Sequence, residues 1–239
     1  MTCFIRNIDI FTAKPSKINS MKKSILFFVV FLSLSVVASA GNLPGKKKDY
    51  RGYYGVGIGA SLPMGDFAGP DDANFVGKQV TGIHIAFANA GYKIIGPVGL
   101  CAQLFAGANR SDFTTNNPAF KDDDAYWAYG GFLIGPLLSF DIAMFAIDVR
   151  PQYGITYIST PELNSDAGGV VFKGDRNSGT GYDLGATFRW KYSEKGSLGL
   201  NLDYFGTKVD YQREINNVTY EETQNINVLG VGLALVFAL

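Results

Sequence analysis

From Gly52 to Leu239 apolar and polar residues alternate with a period of two, not 3.6, the signature of strands with two unlike faces. The stretch Ala143–Tyr157 shows it best. Its odd positions are Ala143, Phe145, Ile147, Val149, Pro151, Tyr153, Ile155 and Tyr157, while Asp148, Arg150, Gln152, Gly154 and Thr156 hold even ones. Tyr182, Leu184, Ala186, Phe188, Trp190 and Tyr192 oppose Asp183, Gly185, Thr187, Arg189 and Lys191 in the same way. Leu198, Leu200, Leu202 and Tyr204 oppose Ser197, Gly199, Asn201 and Asp203. Tyr54, Val56 and Ile58 alternate with Gly55, Gly57 and Gly59, and Ile83, Ile85 and Phe87 with Gly82, His84 and Ala86. Leu100 and Leu104 oppose Gly99, Cys101 and Gln103, and the odd positions from Leu229 to Leu239 oppose Gly230, Gly232 and small apolar residues. Only Tyr126–Pro136 carries apolar residues on both faces.

This pattern predicts eight strands, near 52–62, 79–93, 98–109, 125–136, 142–159, 179–192, 197–211 and 223–239. Short turns at 95–97, 137–141 and 193–196 alternate with four long polar links at 63–78, 110–124, 160–178 and 212–222. A soluble sandwich would place polar side chains across its second face. Here that face is mostly glycine with scattered charges. A membrane barrel turns apolar side chains to lipid and small or polar ones to its lumen, with short turns on one rim and long loops on the other. The expected fold is therefore all-β, an eight-stranded antiparallel up-and-down transmembrane barrel.

Composition agrees and narrows the function. The 239 residues include 29 Gly, 13 Tyr and 18 Phe, with 18% charged residues and zero formal net charge. So many aromatics at no net charge exclude a disordered chain. Residues 1–40 hold none of the glycines or tyrosines and carry five Lys/Arg against one Asp, leaving the remainder mildly acidic. A basic nucleic-acid-binding face is absent, so no nucleic acid partner is expected. Met21-Lys22-Lys23, the apolar run Ile25–Ala38 and Ala38-Ser39-Ala40 make a secretory signal peptide over 21–40. Residues 1–20 then read as a dispensable or untranslated extension, 41–51 as a periplasmic tail containing Lys46-Lys47-Lys48, and 52–239 as the barrel. Cys101 is the one cysteine after the predicted cleavage site, so no internal disulfide staples the mature chain.

The run Gly52–Phe67, a glycine-alternating strand leading into Pro63-Met64-Gly65-Asp66-Phe67, resembles the first strand and loop of the small Gram-negative outer-membrane β-barrel domain family, often labelled porin-like. The resemblance covers 52–239 in layout and this motif in detail. It implies an integral protein of the bacterial outer membrane after Sec-type export. Many such barrels end in an aromatic residue read during assembly, whereas this chain ends Val236-Phe237-Ala238-Leu239, its Phe two positions early. The partners implied are outer-membrane lipid and lipopolysaccharide, the barrel-assembly machinery during biogenesis, and an unidentified partner of the extracellular loops.

An eight-stranded barrel is about wide enough for its own side chains or one small ligand. The expected lumen charges are Asp148, Asp183 and Asp203 with Arg150, Arg189 and Lys191, accompanied by the polar His84, Gln103, Gln152 and Asn201. Three charges of each sign read as mutual neutralisation and a structural plug, with a selectivity filter as the alternative. If the 193–197 connection sets the register, Arg189 lies opposite Asn201 and diagonal to Asp203. Tyr153, Tyr157, Tyr182, Trp190 and Tyr192 are candidates for interfacial aromatic girdles. Lipid-modifying catalysis would need a serine and a third group within reach of His84, the sole histidine, and Ser61 is the nearest guess. Neither a cofactor nor a metal site is expected. Asp71-Asp72, Asp122-Asp123-Asp124 and Asp166 with Asp175 lack the ligand spacing of a calcium loop. The expected function is a non-enzymatic barrel with a narrow or plugged lumen, serving envelope integrity or surface contacts. A small-solute channel or ligand-binding barrel is the alternative.

Overall fold

The alternation becomes eight long strands in the computed structural model, described for residues 50–69, 78–112, 125–161, 163–164, 170–172, 176–215 and 218–239. They are β1 (Gly52–Met64), β2 (Gly82–Ile95), β3 (Val98–Asp112), β4 (Tyr126–Ile142), β5 (Phe145–Ser159), β6 (Arg176–Lys191), β7 (Gly196–Ile215) and β8 (Val218–Ala238). Each pairs antiparallel with its neighbours in sequence. The sheet closes where β8 meets β1, from Tyr53↔Ala238 to Met64↔Asn227, so no barrel edge is left over this span. The extension 1–20, the signal 21–40, most of the tail 41–51 and the acidic loop residues named above lie outside the described residues.

The walls follow the period of two. Leu100, Phe132, Ile134, Ile155, Leu184, Leu200 and Leu233 face outward and are exposed, whereas Gln103, Leu133, Asp148, Arg150, Asp203 and Ala234 face inward and are buried. Apolar surface on this scale is not tolerated in water. It is the wall of a transmembrane barrel. The termini of the barrel and the turns Gly96–Pro97, Ala143–Met144 and Tyr192–Lys195 share one rim, the periplasmic one if the longer connections face outward, as in other such barrels.

Four expectations are corrected. The turn placed at 137–141 is strand: β4 runs to Ile142, and the chain reverses at Ala143–Met144, with Ala143 at φ 52°. Pro136 lies within this strand. It stands opposite Pro151 on the outer face, where the β4–β5 ladder skips and resumes in unchanged register, from Ile134↔Tyr153 to Leu138↔Val149. Two residues without N–H groups thus share one gap. The long link at 212–222 is strand up to Ile215 and again from Val218. β7 and β8 stay paired up to Ile215↔Val218, although β6 leaves β7 at Thr207↔Gly181. The hairpin therefore overhangs the wall, and a small hairpin of Leu163–Asn164 and Val170–Phe172 pairs with Arg213–Ile215.

The second strand, expected from 79, is divided. Lys78–Gln79 pairs with the end of β3, and β2 begins at Gly82. Within β2 a bulge at Phe87–Ala88 shifts the register against both neighbours. Its effect is to move the inward phase from His84 and Ala86 to Asn89 and Gly91. The Tyr54 hydroxyl donates to the Phe87 carbonyl at 2.9 Å, giving a partner to a backbone group that the bulge displaces. Finally, Arg189 lies opposite Gly199, not Asn201, because the β6–β7 ladder starts at Lys191↔Ser197 after the turn Tyr192–Lys195, which shifts the pairing by two.

Candidate functional site

The strand phases gather the inward side chains into two zones. Towards the periplasmic rim the lumen is charged. Arg150, Gly185 and Asp203 occupy one rung across β5, β6 and β7, and Arg150 reaches over the glycine to place Nη2 2.9 Å from Asp203 Oδ1. A Cβ at Gly185 would stand 2.6 Å from Asp203 Oδ1 and 3.0 Å from both Arg150 Nη2 and Asp183 Oδ2. The missing side chain is the space through which the pair forms. Arg189 binds Asp148 on β5 at 2.6 Å through Nε, donates to the Ser139 hydroxyl at 3.2 Å, and lies 4.5 Å from the Tyr53 ring centroid. The Thr187 hydroxyl donates to Asn201 Oδ1 at 2.8 Å.

Lys191, expected among the lumen charges, sits at the rim. Its ammonium meets Asp141, which also takes Lys93 at 2.6 Å. Asp141 thus joins β2 and β6 across the periplasmic mouth from its place on β4. The sequence reading missed both Asp141 and Lys93, because the false turn at 137–141 removed Asp141 from any strand face and the β2 bulge hid the phase of Lys93. With Lys191 at the rim, the interior balance changes: three buried carboxylates, Asp148, Asp183 and Asp203, face two buried guanidiniums, Arg150 and Arg189.

Towards the opposite rim the lumen is aromatic and aliphatic. The strand with two apolar faces explains this, since β4 sends Trp127, Tyr129 and Leu133 inward while Phe132 and Ile134 face out. They pack with Phe105, Ile158, Phe205, Val209, Ile226 and Val228. The motif Pro63–Phe67 completes the cluster: a 3-10 turn, Gly65–Ala68, opens on Gly65 at φ 56° and drives Phe67 into the mouth. Phe67 is 1% exposed and meets Trp127 edge-on at 5.9 Å. The Tyr129 ring lies over Gly107, where a Cβ would stand 2.4 Å from it, and stacks on Phe205 at 5.4 Å. Polar groups here are bonded within the protein. The Ser61 hydroxyl bonds Asn109 Oδ1 and the Tyr129 hydroxyl, both at 2.6 Å, and Thr156 bonds Thr207 at 3.0 Å.

His84 lies where the zones meet, stacked on Phe105 at 5.6 Å and backed by Gly230, which also abuts Asp203. Neither ring nitrogen has a hydrogen-bond partner among the described residues, and the same holds for Gln103 Oε1 and both amide atoms of Gln152. Each such group left dry costs about 1–3 kcal/mol. Ser61, the guessed nucleophile, bonds Asn109 and Tyr129, and among the described residues it makes no hydrogen bond to His84.

The five expected girdle aromatics all project outward and are exposed. Trp190 pairs with Phe145 beside the periplasmic turn, whereas Tyr182 pairs with Tyr153 eight residues further along. Eight residues make about 26 Å of strand, close to the height of the apolar band in barrels of this kind.

No family model matches the chain, and no curated protein matches it in sequence. Its shape does have counterparts. It resembles the crystal structure of Neisserial surface protein A, with a TM-score of 0.50 and 8% identity over 79% of this chain and 97% of that one. It also resembles outer membrane protein OprG from Pseudomonas aeruginosa, with a TM-score of 0.52 and 12% identity over 82% of this chain and 100% of that one. The fold is that of a small outer-membrane barrel. At these identities the likeness is one of fold alone, so what distinguishes this outer-membrane barrel must be read from its own lumen and rims.

Proposed function

We propose that the chain is a non-enzymatic outer-membrane barrel with a closed lumen, acting through the surface it raises on the extracellular side. The observation that carries the closed lumen is the complete burial of side chains that point into it. Arg150, Asp148, Leu133 and Leu137 are each 0% exposed, so solvent has no path along them. Charge pairing inside and the Phe67 plug at one mouth support the same reading, and the unassisted His84 supports the absence of catalysis.

Surface action rests on the β7–β8 overhang. From Lys208 to Ile215 the ribbon continues for about 25 Å of strand beyond its last pairing with β6, and the small hairpin of Leu163–Asn164 and Val170–Phe172 widens it. Lipopolysaccharide around the wall and the barrel-assembly machinery during insertion are the partners this reading carries, together with a ligand of the overhang.

Reconstitution into planar bilayers tests it. The expected outcome is no stable unitary conductance in salt solution. Long-lived ion-selective openings of the unmodified protein would replace the proposal with a small-solute channel. Trimming 208–223 to a two-residue turn is expected to leave the barrel folded while abolishing surface binding by intact cells.

A further inference from the structure

The periplasmic rim is not level. β2 and β3 turn back at Gly96–Pro97, and the pairing of β3 with β4 starts at Val98↔Leu138. β4 runs on from Ser139 to Ile142 with β5 as its neighbour. The last contact across this step is the Ser139 N–H, which donates to the Pro97 carbonyl at 2.8 Å. Beyond the shorter turn the step leaves a notch, an open groove of about 570 Å³ whose lining includes Lys93, Gly96, Pro97, Phe140, Asp141 and Ile147.

Because β3 does not reach this far, the notch joins the two faces that the wall otherwise separates. Its outer side is apolar: Phe140, Ile142 and Ile147 are 47%, 57% and 37% exposed. They lie at the height of the periplasmic girdle, since Ile142 pairs with Phe145 and Phe145 with Trp190. Its inner side is a polar clasp at the mouth, where Asp141 receives both Lys93 and Lys191. One carboxylate between two ammoniums leaves a positive charge uncancelled. The Lys93, Asp141 and Lys191 side chains keep 18%, 39% and 32% of their surface in solvent, so the clasp is open to a ligand. The exposed Arg51, whose carbonyl accepts the Lys93 N–H at 2.8 Å, adds a further cation beside it.

We infer that the notch binds one anionic glycerophospholipid of the periplasmic leaflet, its phosphodiester on the clasp and an acyl chain along Phe140 and Ile147. Charge and depth both select this occupant. A headgroup of net charge −1 cancels the charge that Asp141 leaves over, as basic side chains do at anionic membrane surfaces. The apolar flank stands at interface height, where a lipid buries hydrocarbon and a free ion has nothing to bury. The leaflet follows from the short turns facing the periplasm, and the site does not depend on whether the lumen is closed.

Native mass spectrometry of the full chain released from micelles tests it, with phosphatidylglycerol, phosphatidylcholine or inorganic phosphate added. One phosphatidylglycerol is expected to stay on each barrel, phosphatidylcholine to be retained about fivefold less, and phosphate neither to bind nor to compete. The charge argument also moves two variants in opposite directions. Lys93→Gln should weaken retention of phosphatidylglycerol about fivefold, and Asp141→Asn should strengthen it by a similar factor. A clasp with a merely structural role would weaken it in both. Equal retention of the two lipids, no retained lipid, displacement by phosphate, or variants that shift together or not at all would overturn the site. The lipid comparison uses the unmodified chain, so it decides even where a variant unfolds.

Discussion

The two halves of the lumen solve one problem by opposite means. Both must fill a narrow tube lined on several strands by glycine. The extracellular half does so with large rings, Tyr129 over Gly107 and Phe205 against Tyr129, so its cohesion is packing and apolar burial. The periplasmic half uses charged side chains paired inside the bore, Arg150 over β6 to Asp203 and Arg189 to Asp148 on the neighbouring strand. Packing tolerates partial loss, since neighbours relax into the space. A desolvated ion pair does not, because removing one member strands the other. The halves should therefore respond differently to truncation.

The largest effect is expected for Arg150→Met, which leaves Asp203 and Asp183 without their shared cation. Urea unfolding in lipid bilayers should show a loss of about 3–5 kcal/mol, and adding Asp203→Leu to it should restore part of that loss. A loss under 1 kcal/mol for the single variant would break the contrast. Phe67→Ala comes next, at about 3 kcal/mol. Its hydrogen-exchange signature should stay in the extracellular third of β1, β3 and β4, and the ion pairs should survive. Asp141→Ala at the mouth should cost about 0.5 kcal/mol, an effect that fades as salt is raised. A larger, salt-independent loss would mean that the clasp belongs to the buried core. Smallest of all, Ala143→Gly should stabilise the barrel by about 0.5 kcal/mol by relieving a left-handed backbone conformation. It touches neither half and serves as the control.

Most of the wall was legible in the sequence, because lipid on one side and a filled bore on the other impose the period of two on every strand. The inward Asp148, Arg150, Asp183, Arg189 and Asp203 could be named from parity alone. Parity does not say who meets whom. The β6–β7 turn takes one residue set rather than another, and that displaced Arg189 by two positions from its expected neighbour. Parity also fails where the strand itself slips: the Phe87–Ala88 bulge carries Asn89 and Lys93 to the inner face, against the phase set by His84. The turn expected at 137–141 failed where parity was silent: β4 carries apolar residues on both faces, so nothing in the pattern marked its end. The strand runs on to Ile142 past Pro136, which faces Pro151 where the ladder skips. The Phe67 plug had a signal, the Pro-Met-Gly-Asp-Phe run, but its inward aim needed Gly65 in a conformation that only the fold reveals.

The contacts across the bore also have a mechanical consequence. Asp141 ties β4 to β2 and β6, Arg150 ties β5 to β7, and Ser61 ties β1 to β3 and β4. None of these joins a strand only to the one beside it. A tube held by its wall alone can flatten into an ellipse without breaking a single ladder bond. Spokes of this kind fix its roundness, and a bilayer pressing from all sides then meets a wheel rather than a hoop.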